Sequence, residues 1–402
     1  MTVSDGKRWF LPKESLDKLI AALRRQQYEV IGPVSHDGAI RLEPVERADQ
    51  LARGVRDEQD GGQYRLHDGN AELQFEFVVG PDSAKKFFFP PKQQLFALHV
   101  EGEQFVIDQA GPTAPKLAIM GLRPCDLAAI AVQDRVFGYH QPAGDEAPWD
   151  SGFRCESELY YTQAREQSLL IAVNCVRPGG TCFCASWGNG PQVNDQMSYD
   201  LAMTELRGGF VVHQGSKKGA ALMDSLSLRP ANDAEVELES LMLQRAAEHM
   251  GRELCTDDLP QLLDRAIDSP HWDSVARRCL SCGNCTMVCP TCFCSTVSDS
   301  DDLATGSTSR TREWESCYTH QFSYTTSGPV RSSIRARYRH WLRHKLDTWH
   351  DQFGVSGCVG CGRCITWCPV GIDLTAEVES IRRYDARDEN HTPPRITVEA
   401  RP

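Results

Sequence analysis

Two stretches decide how this chain is read: Cys279-Leu-Ser-Cys-Gly-Asn-Cys-Thr-Met-Val-Cys-Pro-Thr-Cys-Phe-Cys294 and Cys358-Val-Gly-Cys-Gly-Arg-Cys-Ile-Thr-Trp-Cys-Pro369. Both open with cysteines spaced C-x2-C-x2-C-x3-C and then a proline. Three thiolates set two residues apart let a short loop wrap one iron–sulfur cube, and Gly283 and Gly362 free the backbone to turn around it. The proline after the fourth cysteine leads the chain away. Structural zinc more often uses two separated C-x2-C knuckles, which leave a third cysteine at the same spacing without a role.

This spacing is the bacterial ferredoxin run, present twice. In two-cluster ferredoxins the fourth cysteine of each run ligates the other run's cluster. By position, one [4Fe–4S] cluster takes Cys279, Cys282, Cys285 and Cys368, and the other takes Cys358, Cys361, Cys364 and Cys289. The 68 residues between the runs have a helical composition, as in the helical ferredoxin domains inside larger oxidoreductases.

Outward from these runs, the 402 residues carry 17 cysteines, with none before Cys125. An odd count excludes complete pairing within one chain. The N-terminus lacks the apolar core of a secretory signal, so the expectation is a reducing, cytoplasmic compartment where dense thiols are metal ligands. A net charge of −12 argues against a nucleic-acid binder. No apolar run approaches the length of a membrane span. Neither G-x-G-x-x-G nor G-x-x-x-x-G-K-[ST] occurs, and no H-E-x-x-H or nucleophile elbow is present, so no catalytic residue of the chain's own is expected.

Nine cysteines remain. Cys175, Cys182 and Cys184 share a glycine-rich loop, and Cys125 follows a strand pattern; a parallel sheet would bring these four thiols to one site as a possible third cluster. Thr181-Cys-Phe-Cys184 recurs as Thr291-Cys-Phe-Cys294, and Cys317 could join Cys292 and Cys294 as an alternative third site. The bland reading is buried structural thiols. Cys155 and Cys255 have no cysteine neighbours and read as bystanders; His140, His320, His340, His344 and His350 read as surface or packing residues. Arg331, Arg335, Arg337, Arg339, Arg343 and Lys345 form a basic run without an acid from Pro329 to Leu346. It is a solvated helix face, compensation for anionic clusters, or a docking surface for an acidic partner.

The fold class expected is α+β: an N-terminal α/β-type domain with a mixed sheet over 1–230, a mainly helical ferredoxin-like domain over 235–382, and a polar tail over 383–402. Ser15 to Gln27 predicts a helix, with Leu16, Leu19, Ile20 and Leu23 on one face and Ser15 as its N-cap. Leu117–Met120 and Ser168–Asn174 read as buried strands, and Pro124 begins a helix to about Val136. The polar segment from Glu46 to Gly69 reads as a helix followed by a mobile loop, and little after residue 235 resembles a strand.

Gly121-Leu-Arg-Pro-Cys-Asp-Leu-Ala-Ala-Ile130, Asn174-Cys-x3-Gly-Gly-Thr-Cys-Phe-Cys184 and the two cysteine runs, the second continuing to Val-Gly-Ile-Asp373, together resemble the beta subunit of cytoplasmic bifunctional [NiFe] hydrogenases, or sulfhydrogenases. The same family includes an iron–sulfur subunit of anaerobic sulfite reductase. The resemblance spans about Phe10 to Arg382. It implies an iron–sulfur relay between a flavin subunit that binds FAD and NAD(P)H and the [NiFe] small and large subunits, or a sirohaem subunit in the sulfite reductase case. The competing reading of another class is a zinc-stapled assembly scaffold.

Overall fold

The computed structural model describes residues 7–102, 104–108, 113–139, 157–226, 228–302 and 306–388. His140, Cys155 and the tail beyond 388 lie outside the described residues.

In the N-terminal half, β1 (Trp9–Pro12) leads into α1 (Leu16–Arg25), then β2 (Glu29–His36) and β3 (Ala39–Pro44). A separate hairpin follows, β4 (Val55–Asp60) and β5 (Gln63–Asp68), then the single turn α2 (Lys85–Phe88) and the pair β6 (Lys92–Glu101) and β7 (Gln104–Asp108). β8 (Leu117–Leu122) feeds α3 (Pro124–Val136), and α4 (Leu159–Gln167) feeds β9 (Leu169–Val173). The strands β10 (Leu201–Leu206) and β11 (Gly209–Gln214), α5 (Lys217–Asp224) and the two-residue β12 (Arg229–Pro230) close the half.

Eight strands form one sheet in the order β12-β1-β11-β10-β9-β8-β2-β3. The central neighbours β10–β9, β9–β8 and β8–β2 are parallel and the remaining pairs antiparallel. The period of two is visible in the cores. Ala118, Met120, Leu169, Ile171 and Val173 face α1 and α5, whereas Ile119, Leu170 and Ala172 face α3 and α4. Leu16, Leu19, Ile20 and Leu23 are all buried, each worth about 1.5–3 kcal/mol. Ser15 occupies the N-cap position of α1, but Lys13–Ser15 form a 3-10 turn and its side chain makes no capping hydrogen bond.

The C-terminal half starts with α6 (Asp233–Glu248), held at its start by a reciprocal Asn232–Glu235 capping box. Next come α7 (Leu259–Arg265), α8 (His271–Ala276), α9 (Asn284–Met287), β13 (Ser295–Asp302) and β14 (Ser307–Trp314). α10 (Ile334–Arg343) runs through a π-helical stretch, His344–Thr348, into α11 (Trp349–Phe353), followed by α12 (Arg363–Thr366) and α13 (Leu374–Asp388). α7, α8, α10 and α13 share a core containing Leu259, Leu262, Trp272, Tyr338, Leu342 and Val378.

Two expectations fail here. Residues 55–68 are a hairpin rather than a helix and loop: Asp57 and Gln59 are buried by hydrogen bonds, so their polarity imitates a surface segment. The region after 235 does contain strands. β13 and β14 join β6 and β7 in a four-stranded sheet of order β13-β14-β6-β7, and polar β13 is exposed throughout. Edge strands of that kind lack the apolar alternation that marks a buried one. Among the described residues no helix is long and apolar enough to cross a membrane.

Candidate iron–sulfur centres

The two runs fold alike. Gly283 and Gly362 each take a left-handed conformation (φ 76° and 75°) and begin the single turns α9 and α12, so three cysteines wrap around one point. α9 and α12 pack together, which carries the fourth cysteine of each run to the other's loop.

The result is two groups of four thiols. Cys279, Cys282 and Cys285 of the first run and Cys368 of the second line one cavity with about 460 Å³ of empty space, and Cys364 also reaches its wall. Backbone amides aim at these sulfurs: Ser281 N–H donates to Cys279 Sγ (3.4 Å) and Ile372 N–H to Cys368 Sγ (3.3 Å). Burial pushes the Cys285 thiol up, as do the neighbouring Cys279, Cys368 and Cys282. The same cavity holds two buried polar atoms without a hydrogen-bond partner, Tyr338 Oη and Trp341 Nε1. Donors left unsatisfied in this way cost about 1–3 kcal/mol each. A cube with four inorganic sulfides offers them acceptors, so donor set and lining both fit a [4Fe–4S] cluster.

The second group is Cys358, Cys361 and Cys364 with Cys289, all within electrostatic reach of one another. Burial pushes Cys358 up to about 12. Lys345 is fully buried beside it, donating to Cys289 Sγ (3.1 Å), Thr291 Oγ1 (3.2 Å) and Gly357 O (3.1 Å). Burial alone would lower the lysine's pKa, but Cys289, Cys292 and Cys358 hold it well above the usual range. A buried cation among four thiols suits an anionic cluster.

The remaining cysteines gather in two places. Cys125, Cys175, Cys182 and Cys184 come together at the end of β8 and β9, as the parallel alignment requires. Cys292, Cys294 and Cys317 form the other set, with Cys292 beside Cys289 and Cys294 bonded to Cys317. That hydrogen bond from Cys317 brings Cys294 down to about 7. Cys255 is exposed. Among the described residues no three His, Cys, Asp or Glu side chains converge on a single-ion site.

Most of the basic run has partners. Arg335 pairs with Asp273 (3.1 Å), Arg339 with Asp268 (3.7 Å), and Arg343 with Asp347 and Asp264. Arg337 is buried on the Tyr318 and Arg331 carbonyls. Of these side chains, Lys345 is the one that donates to a cysteine of the runs. The sequence reading does not find Lys85, buried with Nζ on the Met287 and Cys292 carbonyls (both 3.3 Å) and 3.8 Å from the Trp314 ring. Burial brings it down to about 8. Its signal is the unusual Lys85-Lys86 pair ahead of three phenylalanines.

A family model described as a 4Fe–4S dicluster domain matches residues 278–372, which include every cysteine of both runs. Over 356 residues the chain is 27% identical to the sulfhydrogenase 2 subunit beta of Pyrococcus furiosus, covering 88% of this chain and 92% of that protein. No solved structure matches. Over residues 278–372 the chain is similar to a 4Fe–4S dicluster domain, and over most of its length it is similar to that sulfhydrogenase beta subunit.

Proposed function

We propose that this chain is the iron–sulfur electron-transfer subunit of a cytoplasmic [NiFe] hydrogenase of the sulfhydrogenase type, relaying electrons between a flavin subunit that binds NAD(P)H and the catalytic subunits. The observation that carries this reading is the cavity where Cys279, Cys282 and Cys285 of one run meet Cys368, the fourth cysteine of the other, with Cys364 also at its wall. That exchange is the ligand pattern of two-cluster ferredoxins.

On this reading Cys279, Cys282, Cys285 and Cys368 hold one [4Fe–4S] cluster, and Cys358, Cys361, Cys364 and Cys289 hold the second. When bound, such clusters carry single electrons, whereas a flavin accepts a hydride's electron pair. The chain's own residues bind and tune. Lys345 offsets negative charge at Cys289, the Ser281 and Ile372 amides donate to sulfur, and Tyr318, Tyr338 and Trp341 line the first cavity. FAD and NAD(P) belong to a partner in this scheme, consistent with the missing nucleotide fingerprint.

Cys361→Ser is expected to abolish NAD(P)H-linked turnover of the purified complex while activity with an artificial dye that reaches the catalytic subunits directly survives. Untouched NAD(P)H-linked turnover would take the chain off the electron route. The co-purifying subunits name the reaction: a [NiFe] large subunit supports the proposal, and a sirohaem subunit would replace it with anaerobic sulfite reductase. Zinc without acid-labile sulfide would replace it with the scaffold.

A further inference from the structure

The parallel pair β8–β9 delivers two cysteines to one edge of the sheet. Leu122 leads through Arg123 and Pro124 to Cys125, and Val173 leads through Asn174 to Cys175. The loop after Cys175 returns with Cys182 and Cys184, and all four thiols are buried. Glycines keep bulk away from two of the sulfurs. A Cβ on Gly179 would lie 3.3 Å from Cys182 Sγ, and one on Gly190 would lie 2.7 Å from Cys184 Sγ.

The charges around the four thiols give the second observation. Asp126 is engaged by Arg363 (2.7 Å) and by the Arg123 amide (3.1 Å), and Asp57 by Arg177, Gln59 and the Val78 amide. Neither acid is free to neutralise a further cation. Arg363 is 2% exposed and donates from Nε to Gly80 O and from Nη2 to Asp82 O and Asp126, yet its Nη1 has no hydrogen-bond partner. This guanidinium lies between Cys125 and Cys361, within electrostatic reach of both. It also hydrogen-bonds the Cys361 sulfur, and a fixed buried cation among thiols suits an anionic occupant.

We propose that Cys125, Cys175, Cys182 and Cys184 ligate a third [4Fe–4S] cluster, packed against the Cys358–Cys364 loop, with Arg363 lying between the two sites. The proposal deepens the electron-relay reading and rests on it for the choice of a redox group over zinc. The two cysteine loops interlock: Phe183 N–H donates to Gly360 O (2.9 Å), and a Cβ on Gly362 would fall 2.3 Å from Thr181 O. A zinc tetrahedron needs sulfurs drawn to about 2.3 Å from one ion, whereas a cube accepts thiols that stand further apart. No such single-ion convergence exists among the described residues. Cys292, Cys294 and Cys317 are passed over because they number three. The cysteine nearest them, Cys289, belongs to the second ferredoxin group, and Lys345 donates to its sulfur.

Iron, acid-labile sulfide and zinc measured on the anaerobically purified full chain test the site without reference to turnover or partners. About twelve irons per chain are expected in the wild type and about eight in Cys182→Ala, while Cys294→Ala keeps about twelve. About eight irons in the wild type, with or without one zinc, would overturn the proposal. So would a loss of four irons from Cys294→Ala. If Cys182→Ala does not fold, the wild type and Cys294→Ala still decide. The third site fails if the wild type holds only the two ferredoxin clusters. The relay reading fails separately, if all the iron is present and Cys361→Ser leaves NAD(P)H-linked turnover untouched.

Discussion

The two ferredoxin runs share a spacing but not an environment. Cys282 of the first is exposed, and Cys279 and Cys285 are half-buried. Cys358 and Cys361 of the second are buried, and Cys364 is half-buried. The first loop is braced mainly by side chains of its own half, with Ser281 on Tyr318 O and Thr286 on Ser316, and Lys85 reaches it from the N-terminal half at Met287 O. The second is gripped by the N-terminal half: Gly62 N–H donates to Ile365 O, Tyr64 stacks on Trp367, and Thr366 bonds Thr181 and Gln59. One motif therefore sits in two settings. The outer run lies near the surface, and the inner run lies against the sheet's cysteine-rich edge.

The glycines test this contrast most severely. Gly362→Ala would put a Cβ 2.3 Å from the Thr181 carbonyl oxygen, on a backbone at φ 75°. Backbone cannot yield as a side chain does, so a loss of more than about 4 kcal/mol is expected, with the inner cluster lost. Gly283→Ala meets the Ser316 hydroxyl at 2.9 Å, which can rotate, and should cost about 2 kcal/mol. Urea unfolding and iron content of the two variants measure the difference. Equal losses would mean that the inner run is no more tightly built in than the outer.

The ion pairs make the same comparison at smaller amplitude. Arg363–Asp126 (2.7 Å) is almost fully buried, whereas Arg278–Glu377 (2.7 Å), beside the outer run, leaves its arginine side chain 45% exposed. Arg363→Gln should cost about 3–5 kcal/mol, the range for breaking a buried pair. Arg278→Gln should cost within about 1 kcal/mol, since solvent already screens it. Thermal unfolding of both variants decides.

The doubled C-x2-C-x2-C-x3-C-P spacing was legible directly, and the family model matches the segment that holds both runs. The convergence of Cys125 and Cys175 was legible too, once two buried strands could be read as parallel neighbours. The residues that join the halves were not. Gln59, Thr181 and Thr366 act through hydrogen bonds, and Tyr64 through a ring stack, across more than a hundred positions, which leave no local period. The β4–β5 hairpin escapes a sequence reading for that reason: its buried face is Asp57 and Gln59 rather than valines. Polarity signals solvent in a single sequence, and only the fold reveals that the partners are internal.

Lys345 gives the inner run a cation in contact with one of its thiols. Replacing it with methionine leaves Cys289 without that charge, and adding an electron nearby becomes harder. In Lys345→Met the reduction potential of the inner cluster should fall by about 60 mV or more, a tenfold shift for one electron. The outer cluster should barely move. A redox titration followed by electron paramagnetic resonance separates the two, and equal shifts would remove Lys345 from its assigned role.

The smallest effect concerns α10, the helix between the runs. His340 lines a cavity of about 1240 Å³ with Cys294, Arg331 and His344. Burial, then the Arg331 and His344 charges, bring its pKa down from 6.5 to about 4. Between those values the unfolded chain binds the proton and the folded chain does not, so stability is full above about pH 6.5 and is lost as pH falls towards 4. The ring is only half-buried, which limits the loss to about 1 kcal/mol. His340→Gln should flatten the dependence of the urea midpoint between pH 7 and 5.5. Were the wild type and variant slopes identical, the acid sensitivity would have to come from the carboxylates instead, and the helix between the runs would carry no proton-linked strain.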